Sequence, residues 1–345
     1  MKILMVGLGA IGQRHVRNLR TILGDGLELL AYRVRGRSQV LTDLLEVEVG
    51  GAPESKYGIV TYDDLNEALA QRPEIVFVCN PSSLHLDVAM QCAQAGCHLF
   101  VEKPLSHDWA GVEDFLQVVD QGKLVTFVGY QMRFHPCWRD VQHELQAGAI
   151  GRLLAARFAN GEYLPDWHKY EDYRESYAAR RELGGGVILT QIHEFDLIYS
   201  LCGLPRRVAA LGGHVSSLQI DVEDVASSLF DCTIAGRSVP VHLHQDFLQR
   251  PPVRNCELIG DAGKMTVDFN LPSLLTYDSS GQLVNERTFS DFHRNDMFEA
   301  ETRHFIDCVR DGTQPLISVR DGAQSLRMAL AVKKSLQTGG YVNLN

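Results

Sequence analysis

The sequence lacks an excess of positive charge and any apolar run long enough to cross a membrane. It holds 33 Lys and Arg against 43 Asp and Glu, a formal net charge of −10. Nucleic-acid binders usually show a basic face, so we expect no nucleic-acid partner. A transmembrane helix needs roughly 18 or more consecutive apolar residues, which no stretch supplies. We therefore also expect no membrane association.

The sequence also lacks paired cysteines. Its eight cysteines are scattered, with no Cys-x-x-Cys pair, and several lie in apolar runs such as VFVCN and LIYSLC. This pattern is typical of small buried side chains in a reducing compartment. The N-terminal MKILMVGLGAIG has the lysine and apolar stretch of a signal peptide, but its glycines and the charged QRHVR that follow favour a strand, a turn and a helix. We predict free thiols and a cytoplasmic protein.

A chain of 345 residues is too long for one ordinary core and suggests two domains. Up to about residue 130, apolar strands alternate with helical patterns, which predicts an α/β fold with a doubly wound parallel sheet. The predicted strands are 2–6, 27–32, 58–62, 74–80, 98–103 and 124–130, with helices at 11–20, after Asp63 and Asp64, at 82–96 and at 106–121.

Beyond residue 130 the predicted strands come closer together and partly alternate, which indicates a mostly antiparallel, open sheet. They cover 152–160, 207–215, 225–233, 239–248, 256–261 and 264–270, with helices at 186–201, 296–310 and 319–337. The predicted division is a dinucleotide-binding domain over 1–126 and a substrate-binding and oligomerisation domain over 127–345.

The glycine-rich stretch GLGAIG follows the first predicted strand and opens the first helix. In such a turn, Gly7 permits the tight bend, Gly9 lets the backbone approach a pyrophosphate, and Gly12 allows close helix–strand packing. The helix N-terminus attracts the phosphate charge, so Ala10 and Ile11 join the predicted cofactor-binding residues. The context predicts a bound dinucleotide.

The tip of the second strand lacks the acidic residue that usually holds the ribose hydroxyls of NAD. Twenty residues beyond Gly12 the sequence reads Tyr32 and Arg33, followed by Arg35 and Arg37. Arginine suits a 2′-phosphate, so the sequence favours NADP(H) over NAD(H), with Arg33 as a cofactor-binding residue. The alternative is a solvated basic loop.

Polar segments follow three of the predicted parallel strands: CNPSSLH (79–85), EKP (102–104) and GYQMRFHP (129–136). Ligands of doubly wound sheets sit beyond the carboxyl ends of the strands, so these segments should meet the nicotinamide end of the cofactor. Lys103 is then placed to hydrogen-bond a substrate oxygen and to stabilise negative charge during hydride transfer. A cis bond before Pro104 would fix the turn.

These motifs, together with GLGAIGQRH, GGGVILTQIHEFDLIYSLCG and ISVRDGAQSLRMALAVKKS, resemble the Gfo/Idh/MocA oxidoreductases, the relatives of glucose–fructose oxidoreductase and inositol dehydrogenase. The resemblance runs nearly end to end. It implies a Rossmann domain, then an α/β domain whose open sheet mediates assembly into a homodimer or homotetramer. It also implies NAD(P)-linked oxidation or reduction of a sugar or cyclitol carbon. Lys103 would contact the reacting oxygen and the cofactor, and Asn80, Pro81, His85 and Glu102 would line the cofactor site.

The segment GGGVILTQIHEFDLIYSL places His193 and Asp196 three residues apart on one helix face. The family resemblance implies that His193 is the general acid/base, a role that suits imidazole near neutral pH. Many relatives carry an aspartate four residues earlier, where this sequence has Leu189. Thr190 is a candidate hydrogen-bond donor to a substrate or to the imidazole, and Asp196 is the candidate support for His193.

A segment rich in Tyr, Trp, His and Arg, residues 160–186, supplies the candidate substrate surface. Tyr163, Trp167 and Tyr173 offer flat apolar faces and polar donors suited to a carbohydrate. Four arginines are candidates to bind a phosphate or carboxylate: Arg133, Arg174, Arg180 and Arg181. The segment resembles loops of relatives from bacterial surface-sugar pathways, which favours a nucleotide sugar. The alternative is an aromatic lid packed on its own domain, or an oligomer contact.

No metal site is predicted. His193, Glu194 and Asp196 are too close on one helix for all three to reach one ion. His242, His244 and Asp246 share a strand face, and His-x-His is able to bind zinc. We interpret that face as the polar surface of an open sheet at an oligomer interface.

Three functions fit the sequence. The first is an NAD(P)-dependent sugar dehydrogenase or reductase, and the second is a non-catalytic dinucleotide-binding regulator on the same fold. The third is glycoside hydrolysis through transient oxidation by a retained cofactor. The presence of both Lys103 and His193 favours an enzyme, because a regulator needs neither.

Overall fold

The structure is a computed structural model that describes residues 1–34, 39–43, 45–48 and 50–344. Its strands are β1 (Lys2–Val6), β2 (Glu28–Tyr32), β3 (Val40–Leu41), β4 (Val47–Glu48), β5 (Val60–Tyr62), β6 (Ile75–Val78), β7 (His98–Val101), β8 (Thr126–Val128), β9 (Leu153–Gly161), β10 (Arg207–Gly213), β11 (Val225–Ile234), β12 (Arg237–Asp246), β13 (Val253–Gly260), β14 (Gly263–Asp268), β15 (Ser273–Asp278), β16 (Leu283–Thr288) and β17 (Val342–Asn343). Its α-helices are α1 (Ala10–Leu23), α2 (Pro53–Tyr57), α3 (Leu65–Ala70), α4 (His85–Gln94), α5 (Val112–Gly122), α6 (Pro136–Gln146), α7 (Val187–Thr190), α8 (His193–Cys202), α9 (Arg294–Asp311) and α10 (Val319–Thr338).

The first unit is built on a parallel six-stranded sheet with the order β5-β2-β1-β6-β7-β8. Its central strands are apolar on both faces, as a sheet covered on both sides requires. Phe77 and Phe100 stack at 4.6 Å between ring centroids, and Phe305 of α9 meets both edge-on. The predicted doubly wound parallel sheet is confirmed.

The second unit is built on a nine-stranded sheet with the order β16-β15-β14-β13-β9-β12-β11-β10-β17. All neighbouring strands pair antiparallel except β9 and β12, which pair parallel. Helices α7 and α8 pack on strands of this sheet. The predicted open, mostly antiparallel sheet is confirmed, with three strands that the sequence analysis did not identify: β15, β16 and β17.

The division of the chain differs from the predicted one at 126/127. The first unit comprises Met1–Tyr130, Glu182–Gly184 and Asn295–Ala323, and the second comprises Gln131–Arg181, Gly185–Arg294 and Gln324–Asn345. The later segments join the first unit because their side chains complete its core, as Phe305 does against Phe77 and Phe100. The spacing of predicted strands along the sequence does not indicate which later segments pack against the first unit.

Two predicted helices differ in extent. The helix predicted at 106–121 begins only at Val112, because Gly111 precedes it with a φ of +76° and Asp108 caps a turn at Ala110. The helix predicted at 186–201 is interrupted after Thr190, since the Gln191 carbonyl accepts a hydrogen bond from the Gln245 side chain at 2.8 Å.

Helix α6 was not predicted.

Among the described residues, we find no helix with the length and apolar character needed to cross a bilayer.

Candidate functional site

The glycine turn joins β1 to α1 and leaves one side open. A methyl group on Gly12 would lie 2.3 Å from the Gly7 carbonyl oxygen, so the helix can approach the turn only with glycine there. A methyl group on Gly9 would meet nothing within 4 Å. Gly9 caps α1 with its backbone alone, and the amides of the first turn, Ala10 and Ile11 included, have no partners within the helix. The turn therefore has room and donors for a pyrophosphate.

At the tip of β2, the Arg33 guanidinium forms an ion pair with the Glu54 carboxylate on α2. The Arg33 side chain is only 8% exposed, and burial lowers its pKa from the ordinary value. Its predicted contact with a 2′-phosphate would therefore compete with Glu54. Arg35 and Arg37 lie outside the described residues.

His85 connects the ends of β6 and β7. Its Nδ1 lies 2.7 Å from the Pro104 carbonyl oxygen and its Nε2 lies 2.8 Å from the Asn80 carbonyl oxygen. The ring is buried, which lowers its pKa even though both carbonyls favour the protonated form. His85 thus holds the turns that carry Asn80, Pro81 and Lys103, rather than presenting a polar atom to a ligand.

Lys103 sits on a turn fixed by its neighbour Glu102. One Glu102 oxygen, Oε2, accepts the backbone N–H of Lys103 at 3.2 Å, and the other, Oε1, lies 2.7 Å from Nε2 of His15. The peptide bond between Lys103 and Pro104 is cis. The backbone of the lysine is therefore held by a buried carboxylate, while its side chain is half-buried.

In the second unit, His193 is the first residue of α8 and is 5% exposed. The Nε2 atom of its ring lies 3.2 Å from the side-chain nitrogen of Gln131. Gln131 was not identified from the sequence, because its only signal was a place in the GYQMRFHP segment.

Asp196, the predicted support of His193, forms an ion pair with Arg133. Asp196, fully buried, accepts two hydrogen bonds from Arg133, at 2.6 Å from Nε and 2.9 Å from an Nη atom. Each residue is thereby engaged by the other, so Arg133 does not present a free guanidinium to a substrate anion. Thr190 donates to the Gly186 carbonyl at 2.8 Å, one turn back, as threonines in helices often do.

Glu194, next to His193, is buried and paired. Its carboxylate accepts from Arg254 at 2.7 Å and from the Asn160 side chain at 3.1 Å. Together with the Arg133–Asp196 pair, these bonds anchor the first turn of α8. Acidic side chains in that turn also suit the positive end of the helix dipole.

The aromatic segment of the second unit is packed on polar and aromatic partners. Arg250 lies over the Tyr163 ring, 3.3 Å from its centroid, and Trp167 meets Phe247 edge-on at 5.3 Å. The Tyr173 hydroxyl accepts from the Gln219 backbone N–H at 3.3 Å. Each contact covers part of an aromatic ring. The contacts therefore support the alternative that this segment is a lid packed on its own domain.

Trp167 stands out within this segment. Its indole nitrogen is buried without a hydrogen-bond partner in the described part of the chain. An indole N–H is a donor only, so the hydrogen-bonding capacity of this nitrogen is unused among the described residues.

The two histidines considered for zinc are engaged otherwise. His242 lies 2.9 Å from the Ser227 hydroxyl, and His244 lies 3.1 Å from Asp246, which is itself buried. Over residues 1–34, 39–43, 45–48 and 50–344, one other group, His15, Glu102 and Glu301, brings its polar atoms within 4.8 Å of one another.

A parallel sheet whose first strand runs into an open glycine turn defines a dinucleotide-binding class. The family model described as "Oxidoreductase family, NAD-binding Rossmann fold" matches residues 1–130, and "GFO/IDH/MocA C-terminal domain" matches residues 138–266. The chain belongs to the GFO/IDH/MocA oxidoreductase family, as its sequence motifs predicted.

Two inositol dehydrogenases and a solved dehydrogenase structure match along nearly their whole length. Myo-inositol 2-dehydrogenase of Thermotoga maritima is 25% identical over 354 residues, covering 100% of this chain and 98% of the relative. Scyllo-inositol 2-dehydrogenase (NAD(+)) of Bacillus subtilis is 25% identical, covering 99% and 95%. The crystal structure of the WlbA dehydrogenase from Bordetella pertussis, in complex with NADH and UDP-GlcNAcA, shares the fold with a TM-score of 0.80 at 21% identity, covering 100% and 99%.

Proposed function

We propose that the protein is an NAD(P)-dependent dehydrogenase or reductase that acts on a hydroxyl-bearing carbon of a sugar, cyclitol or nucleotide sugar. Membership of the GFO/IDH/MocA family, matched in both halves of the chain, is the observation that carries the proposal. The open glycine turn supplies the fit for the cofactor, because Gly9 leaves room where a side chain would stand.

A bound nicotinamide ring would accept or supply the hydride, while side chains of this protein orient the reacting oxygen and move its proton. Lys103 hydrogen-bonds the reacting oxygen and stabilises charge on it. His193 takes the hydroxyl proton during oxidation and returns it during reduction. The Glu102 bond to the Lys103 backbone and the Gln131 bond to the His193 ring hold the two groups in place. Trp167, Tyr163 and Tyr173 form the proposed carbohydrate surface.

We further propose NADP(H) as the preferred cofactor, with NAD(H) as the alternative. The tip of β2 carries no acid for a ribose hydroxyl, and Arg33 stands there instead. The Glu54 ion pair opposes this preference, and the NAD-linked name of the Bacillus subtilis relative belongs to that protein. An Arg33→Ala variant that loses affinity for NADP⁺ but not for NAD⁺ would support the proposal, whereas equal loss for both would contradict it.

We propose a cytoplasmic homodimer or homotetramer. All eight cysteines are free thiols, which suits a reducing compartment. The large nine-stranded sheet bears exposed leucines at Leu154, Leu211 and Leu229, and such apolar exposure is typical of a contact surface. Light scattering of the native protein and of Leu229→Glu tests this, because a charge in the contact should yield monomers.

The central experiment follows nicotinamide absorbance while the protein meets NAD⁺ or NADP⁺ and a panel of inositols, aldoses and UDP-linked sugars. Lys103→Met and His193→Ala should abolish reduction. Lys334→Met and His143→Ala, the same changes at exposed positions, should not. Tight cofactor binding without turnover on any substrate, unaffected by Lys103→Met or His193→Ala, would indicate the non-catalytic regulator instead.

A further inference from the structure

Three buried ionisable side chains meet inside the first unit. His15 comes from α1, Glu102 follows β7, and Glu301 comes from α9. Their exposed fractions are 0%, 7% and 0%, and one polar atom from each lies within 4.8 Å of the other two. None of the catalytic roles proposed above uses Glu301.

The hydrogen bonds of His15 and Glu102 account for every polar atom of that pair. The Thr302 hydroxyl donates to the Phe298 carbonyl at 2.7 Å, so its oxygen accepts from Nδ1–H of His15 at 3.4 Å. A second proton lies between Nε2 of His15 and Oε1 of Glu102, which are 2.7 Å apart. Oε2 of Glu102 accepts the Lys103 backbone N–H.

Glu301 has no such partners. Neither of its carboxyl oxygens has a hydrogen-bond partner among the described residues, and both are buried. An ionised carboxylate here would lack solvent and a hydrogen-bond donor of its own, and it would lie beside the Glu102 carboxylate, which already holds the shared proton of His15. The nearby Cys79 thiol is buried and neutral, with its pKa raised, so it offers no positive charge. Burial, and then the charge of Glu102, raise the pKa of Glu301 well above its ordinary value of 4.5.

We propose that Glu301 holds a proton throughout the neutral pH range, and that this uncharged acid is a positioning residue for Lys103. Because Glu301 is neutral, the Glu102 carboxylate keeps its hydrogen bonds to His15 and to the Lys103 backbone N–H. An ionised Glu301 would repel Glu102 and loosen the turn that presents the lysine. The kinetic part of this proposal rests on the function proposed above, but the proton-binding part does not.

A metal ion is the competing occupant of this cluster. The 2.7 Å separation of His15 Nε2 and Glu102 Oε1 is a normal hydrogen-bond length, which places a proton between the two atoms. Elemental analysis of the purified protein decides between the two. A stoichiometric divalent metal that Glu301→Gln removes would overturn the proposal.

The first test compares urea unfolding of the native protein and of Glu301→Gln across pH. Glutamine mimics the protonated acid and does not titrate. A carboxyl that stays protonated when folded favours the folded state at low pH, and this contribution is lost as pH rises from 4.5 towards the raised folded pKa. The two proteins should therefore have the same unfolding free energy near pH 4. Above that pH, the folding equilibrium constant of Glu301→Gln should rise relative to that of the native protein, by up to about tenfold per pH unit.

The control is Glu299→Gln, the same change on the same helix at a half-buried carboxylate paired with the exposed Arg303. Its difference from the native protein should stay small at every pH. Parallel pH curves for the native protein and Glu301→Gln would show that Glu301 ionises normally, and would overturn the proposal.

The second test is kinetic. Glu301→Gln should keep turnover within about twofold, while Glu301→Leu, which removes the polar group, should lower kcat about tenfold with little change in KM. Equal turnover in both variants would refute the positioning role. If Lys103→Met itself proves active, the proposed function has failed, and the pH comparison above still decides whether Glu301 holds a proton.

Discussion

The side-chain nitrogen of Gln131 lies 3.2 Å from Nε2 of His193, at the first turn of α8. An amide N–H donates, so Nε2 accepts and the ring proton of neutral His193 is on Nδ1 in this arrangement. Gln131 thereby selects the tautomer of the proposed acid/base, and the amide must release Nε2 to the substrate hydroxyl when His193 takes the proton.

We expect Gln131→Leu to lower kcat by about 10- to 100-fold, since a free ring loses both its orientation and its tautomer. In Gln131→Glu a carboxylate would favour the protonated ring, and the pH of half-maximal oxidation activity should rise by about one unit. Initial rates across pH measure both effects. Gln146→Glu, an exposed position on α6, is the control, and an unshifted profile in Gln131→Glu would refute the role.

The buried Arg133–Asp196 pair should prove structural. Arg133→Met removes two charge-assisted hydrogen bonds from the buried Asp196 carboxylate and should cost about 3–5 kcal/mol of unfolding free energy, whereas Arg133→Met with Asp196→Leu should recover most of it. Urea unfolding measures this, and Arg303→Met, which breaks an exposed pair, should cost less than about 1 kcal/mol. A raised KM without loss of stability in Arg133→Met would instead return Arg133 to substrate binding.

Two glycines of one turn should respond oppositely to the same methyl group. Gly9 has a φ of −69° and open space around it, so Gly9→Ala should fold normally. The added methyl group should nevertheless weaken dinucleotide binding by about tenfold or more. Gly12→Ala meets the Gly7 carbonyl and should destabilise the protein by about 1–3 kcal/mol. Calorimetric titration and thermal melts separate the two. Unaltered affinity in Gly9→Ala would mean that the pyrophosphate lies elsewhere.

His135 should make the protein sensitive to acid. Burial, followed by the charge of Arg254, lowers the pKa of its ring from 6.5 to about 4. Because the folded pKa is depressed, the stability from the neutral ring is present above pH 6.5 and is lost as the pH falls towards 4. The loss should reach about 3 kcal/mol at most.

Nδ1 of His135 accepts the Cys137 backbone N–H at 3.2 Å, capping α6. His135→Asn keeps a capping acceptor without the titration, so its unfolding free energy should change less with acidification. His143→Asn, at an exposed position of the same helix, should retain the native pH dependence. An unchanged slope in His135→Asn would place the acid sensitivity elsewhere.

The parallel sheet and the glycine turn were predictable because their signals are local. Apolar runs such as 74–80 identify buried strands, and the spacing of Gly7, Gly9 and Gly12 specifies the turn that follows β1. The cap of α3 was local as well: Asp64 accepts the Glu67 backbone N–H, at one of the two predicted aspartates.

The features that were missed depend on partners distant in the sequence. The break before α8 requires Gln245 to bond the Gln191 carbonyl, 54 residues away. Arg133 and Asp196 are 63 residues apart in the sequence. Helix periodicity alone had suggested His193 as the partner of Asp196. Sequence spacing identifies side chains that share a helix face, but not the partner that reaches that face from another element.

The return of α9 to the first unit has a consequence for synthesis. Phe305 closes over Phe77 and Phe100, yet it follows them in the sequence by more than two hundred residues. A ribosome that has finished residues 1–130 has made all six parallel strands but not the helix that covers their phenylalanines. The nascent first unit must therefore wait with an apolar surface uncovered while most of the second unit is translated, and this interval is when a chaperone would have most to bind.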